Sequence, residues 1–308
     1  MDIATTNPNP EPISVETGTA AEQTQERARF DITSITQSPA FIPGLLVTIG
    51  VALCFWPLWS RLYALWNGED GYYSHGYIVP LMSGYIVYRW WPQLKAIPVK
   101  PGYAAIPLLF VVLYAMYPAN YSLIEGLLSV GFLATLMLAA WVIAGFRWML
   151  MLTPAILYLG FALPLWTSVI NNTTNPLQIV STKVAYYLLK MMGFYVYQSD
   201  PTVVYMNSFQ LNVDVPCSGL KLLLALTAFT VFFVLIARLK WVANLFMLAM
   251  IPVLAILING LRIALIGVVG ETQGREAGLA FHDYSGYITL IVCFVVLFKI
   301  ARILGWKD

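Results

Sequence analysis

The chain has 308 residues, 59% hydrophobic and only 10% charged, with a net charge of +2 and a mean hydropathy of +0.74. Soluble domains carry roughly 25% charged residues, so 17 Lys+Arg and 15 Asp+Glu are too few to coat a water-soluble globule of this size. The apolar content also excludes a disordered chain, and a near-neutral balance without a long Lys/Arg cluster sets nucleic acid aside as a partner. What remains is an all-α polytopic membrane protein whose first partner is the lipid bilayer.

Residues 1–39 are rich in Thr, Asn, Pro, Glu and Gln and read as a disordered cytoplasmic tail. A secretory signal would open on a short basic stretch and reach its apolar core much sooner. Residues 40–308 read as a single transmembrane domain. They hold eight apolar runs, at about 41–64, 76–94, 103–119, 123–145, 148–168, 218–237, 242–268 and 285–304, against the ~20 residues that a 30 Å hydrocarbon layer needs. The third is the weakest, being short and preceded by Pro98, Pro101 and Pro107.

Basic residues in short loops favour the cytoplasm. With the N-terminus inside, Arg27 and Arg29, then Arg89, Lys95 and Lys100, then Arg147, then Arg238 and Lys240, then Lys299, Arg302 and Lys307 all fall on that side. The opposite loops are acidic or mixed, with Glu69 and Asp70, Asp200 and Asp214, and Glu271, Arg275, Glu276 and Asp283. Both termini are therefore expected in the cytoplasm, in a multi-pass protein of the cell (inner) membrane.

An extracytoplasmic insert at 169–216 separates helices five and six. Residues 175–192 begin with Asn-Pro and read as a small amphipathic helix lying at the interface. Phe209, Leu211, Val213 and Val215 then alternate with Gln210, Asn212 and Asp214, the period of a half-buried strand. Residues 203–206 can pair with it across Asn207 and Ser208 as a β-hairpin, which feeds into Pro216, Cys217 and the sixth span.

Cys54, Cys217 and Cys293 are odd in number and widely spaced, which fits neither a disulfide framework nor a zinc site. No metal or cofactor is expected. Cys217 stands in Val-Pro-Cys-Ser-Gly-Leu at a strand end and a helix start, where unpaired amides lower a thiol's pKa and Lys221, one turn on, adds to the effect. Its bland alternative is a small apolar residue, the reading that also holds for Cys54 and Cys293 inside apolar runs.

Arg262 lies among apolar residues in Asn259-Gly260-Leu261-Arg262-Ile263, where insertion costs about 2.5 to 3.5 kcal/mol. It is a functional candidate unless it snorkels to the headgroups from about two turns below the outer end of its run. His282, in Phe281-His282-Asp283-Tyr284-Ser285, and His75, in Tyr73-Ser74-His75-Gly76, are the only two histidines, both at outer helix starts. The topology places Cys217, Arg262 and His282 at one membrane depth. Together they are the inventory of thiol acyl transfer: a nucleophile, a general acid/base, and a cation for the oxyanion or for positioning substrate.

Pro216-Cys217-Ser218-Gly219-Leu220, Asn259-Gly260-Leu261-Arg262-Ile263 and Phe281-His282 followed by Gly286 resemble, in order and spacing, the signature of the exosortase and archaeosortase family. The resemblance covers 40–304, including the Tyr-Ser-His-Gly segment at 73–76. It implies a membrane cysteine transpeptidase of the sortase type, which makes 40–308 a catalytic domain with Cys217, Arg262 and His282 as its catalytic set; beside these, His75, Lys221 and Asn259 read as secondary residues. The implied substrates are exported proteins ending in a Pro-Glu-Pro-like motif, a membrane helix and a basic tail, with an amine or lipid as acceptor. Pro10-Glu11-Pro12 in the tail matches such a motif by chance, since no helix follows in the right place. The alternative is a non-enzymatic transporter or polysaccharide-export component in which Arg262 and His282 line a path; the internal repeat common in transporters is not found.

Overall fold

The computed structural model describes residues 41–68, 71–121, 125–237 and 239–306. The tail expected at 1–39 lies outside them, as do Glu69, Asp70, Arg238 and Lys307 of the loop-charge argument. The chain divides into two units, Met1–Leu45 and Leu46–Asp308. The first adds only the opening of one helix to the described residues, and the site lies wholly in the second.

Helices occupy every expected apolar run. α1 (Phe41–Cys54) and α2 (Trp56–Trp66) share the first, which breaks at Phe55 because Pro57 is at home only in a helix's first turn. α3 (Val79–Lys95) follows a 3-10 turn at Ser74–Tyr77, and α4 (Ile106–Tyr121) and α5 (Glu125–Ala144) come next. α6 (Phe146–Tyr158) ends in a 3-10 turn at Leu159–Ala162 and leads to α7 (Thr167–Met191). After the sheet come α8 (Leu220–Ala237), α9 (Trp241–Gln273) and α10 (Arg275–Ile303).

Among the described residues, α5, α8, α9 and α10 are each long and apolar enough to cross a membrane. A fifth span is reached by joining α6 and its 3-10 turn to α7, a pair bent by 58°. This is a helical membrane protein. The eight spans read from the sequence are not all met by length, since α2, α3, α4 and α6 have 11, 17, 16 and 13 residues.

Three elements differ from the sequence reading. α7 starts at Thr167, ahead of 175, and packs lengthwise on α9, with Val184 against Gly260 and Leu189 against Gly267. Both helices advance in the same direction along this contact, and Ala185 and Leu189 are fully buried. The Asn and Thr residues at 171–175 obscured its start, because they resemble a loop when read without the partner helix. α10 begins at Arg275, ten residues ahead of the apolar run at 285–304, because Gly274 at φ +92° sets the turn and the charged first residues stay helical. His282 is therefore inside the helix and not at its start.

The third difference is in the sheet. β2 (Val203–Tyr205) and β3 (Gln210–Asn212) form the expected antiparallel hairpin across Asn207 and Ser208, but β1 (Tyr197–Asp200) adds a strand in the order β1-β2-β3. β1 has no apolar alternation and gave no periodic signal; Tyr197 stacks on Tyr205 at 4.8 Å between ring centroids.

The sheet's inward residues Val204, Leu211 and Val213 pack with Ala185 and Leu189 of α7 and Ile263, Ala264 and Ile266 of α9 into one cluster that also holds Cys217. α9, at 33 residues, is about 50 Å long, well beyond a 30 Å hydrocarbon layer. α10 folds back on it through a close glycine crossing, where a Cβ on Gly278 would lie 3.0 Å from Gly270 Cα. Small residues permit such backbone approach. His282 follows Gly278 by one turn, so this crossing turns it toward Cys217.

Candidate active site

Cys217 closes a 3-10 turn, Val215–Cys217, whose last N–H bonds Asp214 O at 2.9 Å. The chain on both sides of this turn is held from α7 and α9. Gly219 adopts φ +88°, and a Cβ there would meet Asn259 Cβ and Cγ at 3.1 and 2.9 Å, so only glycine lets α9 come this close. Asn259, 1% exposed, donates from Nδ2 to Cys217 O at 2.9 Å. Ser181 of α7 donates to Ser218 O at 3.3 Å. Gln178 of the same helix donates to Val213 O. The cysteine backbone is thus clamped from α7 and α9, and none of these contacts involves the thiol.

The thiol faces α10. Cys217 Sγ is 2.6 Å from His282 Nε2, and His282 Nδ1 is 3.2 Å from Asp283 Oδ1. When Nδ1 carries its proton toward the carboxylate, Nε2 is left as an acceptor for the thiol proton. Asp283, read from the sequence only as an outer-loop charge, was not foreseen in this position. The adjacent His-Asp pair was the available signal.

Arg262 does not extend along its helix toward headgroups. Its Nε donates to Ser285 Oγ at 2.9 Å and its Nη2 to His282 O at 3.1 Å, and Ser285 Oγ donates to the same carbonyl at 3.1 Å. Two of five guanidinium N–H groups are thereby committed to α10, and the others make no hydrogen bond among the described residues and can meet a ligand. Ser285, 3% exposed, is a second residue that sequence reasoning passed over.

Burial pushes the Cys217 thiol up from its ordinary value; Arg262 opposes this, while Asp214 and Asp283 add to it. The expected lowering by helix amides is outweighed, so the thiol holds its proton at rest. His75 shifts down, chiefly by burial, with Lys221 adding to the drop and the Phe161 main chain opposing it. Its imidazole is neutral at pH 7.

Two cavities meet at His282. One, of about 520 Å³, lies between the Ser74–Tyr77 turn, α3, α8 and α10. Its polar rim is made by His75, Lys221, Asn259, Arg262 and His282, and its walls are apolar side chains such as Met82, Leu222 and Phe294. Every other site residue singled out in the sequence is on this rim; Cys217 is not. The cysteine opens instead into a second cavity, of about 590 Å³, between the sheet and α10, which His282 also lines. Lys221 folds back over Gly71, where a Cβ would lie 2.5 Å from Nζ.

The geometry permits a proton to move from sulfur to imidazole, with the Arg262 guanidinium bonded to the main-chain carbonyl of the same histidine, an arrangement suited to acyl transfer through a thiol. Neither the curated proteins nor the solved structures include a match to the chain. The transmembrane exosortase family model matches residues 59–299, a stretch that contains all three motifs and every residue of the site. The chain belongs to the transmembrane exosortase family.

Proposed function

We propose that the protein is a membrane cysteine peptidase and transpeptidase that cleaves C-terminal sorting signals of exported proteins at the extracytoplasmic face of the inner membrane. The observation that carries this reading is the 2.6 Å contact between Cys217 Sγ and His282 Nε2, backed by Asp283. Its topology would be eight passes with both termini cytoplasmic, supported by the distribution of basic residues over alternate loops. The substrates would carry a Pro-Glu-Pro-like motif, a membrane helix and a basic tail. The apolar walls of the 520 Å³ cavity suit a substrate segment that enters from the bilayer.

In the first step Cys217 Sγ attacks the scissile carbonyl carbon, and its proton passes to His282 Nε2. Arg262 stabilises the oxyanion or positions the substrate with its uncommitted N–H groups. The C–N bond breaks, His282 returns the proton to the leaving amine, and a thioester remains on Cys217. An incoming amine or water then loses a proton to His282, attacks the thioester and expels the thiolate, which recovers its proton. His75, Lys221 and Asn259 act around this centre: Asn259 holds Cys217 in place, and the other two shape the cavity rim. A transporter would leave the thiol–imidazole–carboxylate alignment without a role.

The test is Cys217→Ala in cells expressing a tagged substrate. Processing is expected to stop, with thioester trapped on the wild-type cysteine; unchanged processing would overturn the reading.

A further inference from the structure

β3 is an edge strand. Its partner β2 pairs through the alternate residues: Met206 N–H bonds Phe209 O at 3.0 Å and Val213 N–H bonds Thr202 O at 3.0 Å, with Val204 opposite Leu211 between them. In this register the main-chain groups of Phe209, Leu211 and Val213 point to β2, and those of Gln210 and Asn212 point away. Among the described residues, no hydrogen bond is made by the N–H or C=O of Gln210 or Asn212 on that side, and both residues are exposed.

This open edge lines a groove. Every residue from Ser208 to Asp214 lines the 590 Å³ cavity. The facing wall is one stripe of α10, Arg275, Leu279 and His282, at the i, i+4, i+7 spacing of a single helix face. The floor holds Ile263, and Cys217 also lines the cavity, so a chain lying along β3 is led to the sulfur and imidazole.

An unpaired edge is a template for another strand, and proteins generally blunt such edges unless they are used. We infer that this groove is the substrate's upstream subsite, in which the residues preceding the scissile bond bind as a fourth, parallel strand on the Gln210–Asn212 edge. The occupant is an extended peptide recognised through its main chain, the mode of β-strand addition. The inference rests on the proposed function and specifies how that substrate is held.

Parallel polarity follows from direction. β3 runs from its hairpin turn toward Cys217, and the chain then enters α8, a membrane-length helix. A substrate whose soluble part precedes the cleavage point and whose membrane helix follows it must run the same way past Cys217. Its downstream residues then reach the 520 Å³ cavity on the other side of His282. Main-chain recognition leaves side chains along the strand weakly specified, apart from those directed at Arg275 on the facing wall.

The experiment uses full-length protein in liposomes and, as probe, a synthetic peptide of about ten polar residues, Pro-Glu-Pro, an apolar helix of about 20 residues and a basic end. Asn212→Pro removes the outward N–H and no bond to β2. It is expected to raise KM about tenfold with kcat within about twofold and an unchanged rate of Cys217 alkylation, the readout that the site is intact. An unchanged KM overturns the inference. Should Asn212→Pro fail to fold, wild-type protein is given probes N-methylated at one upstream residue at a time; loss of cleavage at alternate residues supports the added strand, and tolerance without alternation overturns it. The two readings separate cleanly. If wild type cleaves the probe, Cys217→Ala does not, and Asn212→Pro has a normal KM, only the strand subsite falls. If wild type and Cys217→Ala both leave the probe intact, the proposed function falls and the subsite with it.

Discussion

Cys217 and Cys293 are both buried, at 8% and 0% exposure, yet their surroundings give the same side chain opposite prospects. Cys293 sits among Leu222, Leu226, Ile251, Ala255 and Leu297, where α8, α9 and α10 pack, and makes no hydrogen bond among the described residues. Cys217 belongs to the apolar cluster under the sheet, but its sulfur meets an imidazole with a carboxylate behind it. Burial disfavours a thiolate, so an enclosed thiol is inert by default. The contrast lies in α10, the last helix: it supplies the imidazole and carboxylate beside Cys217, and the strand and turn that carry the cysteine do not.

The sharpest way to break the contrast is to exchange the two residues' fates. Cys217→Ala is expected to abolish processing, whereas Cys293→Ala should leave it within about twofold; equal losses would mean that both act through packing. Removing the partner comes next. His282→Gln keeps a polar side chain of similar reach but no titratable nitrogen, and kcat should fall by about 10² to 10⁴, the usual worth of a general acid/base. A fall confined to KM would reassign His282 to binding.

Arg262→Lys keeps the charge but cannot bond Ser285 Oγ and His282 O with one planar fork. A loss of about 10² in kcat is expected if the cation acts on the oxyanion, and purified-enzyme kinetics showing wild-type turnover would make Arg262 a packing residue instead. A smaller effect is read from pH. The thiol is shifted upward, so the rate of Cys217 alkylation should rise with pH along a limb displaced above that of an ordinary cysteine. Arg262 favours the thiolate and Asp214 opposes it. Arg262→Gln should therefore move the limb to higher pH and Asp214→Asn to lower pH; movement in the reverse sense would contradict the assigned electrostatics. Last, Cys293→Ala should cost about 1 kcal/mol of stability, read as a small fall in Tm.

Much of the site was legible in the chain because its residues are chemically conspicuous in apolar surroundings. Arg262 stood out because charges are scarce in the spans, and His282 and His75 because there are two histidines in all. The alternation at 209–215 foretold β3. Other parts carried no periodic signal. β1 lacks apolar alternation, and α7 opens on polar residues whose threonine hydroxyls bond back to Val169 and Ile170 within the helix. Ser285 and Asp283 are common types whose roles depend on which nitrogen or carbonyl they reach, a matter of distances that spacing does not encode.

Sequence by itself determined that the chain lives in a bilayer and which residue types were available for chemistry. Both follow from composition and local pattern, since charge must avoid hydrocarbon and thiol, imidazole and guanidinium are few. Only the tertiary structure decided that Cys217 meets His282, that Arg262 is held by α10, and that β3 keeps an open edge beside them. Those outcomes depend on a glycine crossing between Gly270 and Gly278, the room Gly219 leaves for Asn259, and the register of a three-stranded sheet. Such contacts join residues up to 65 positions apart, and packing, which no local window of sequence contains, sets them.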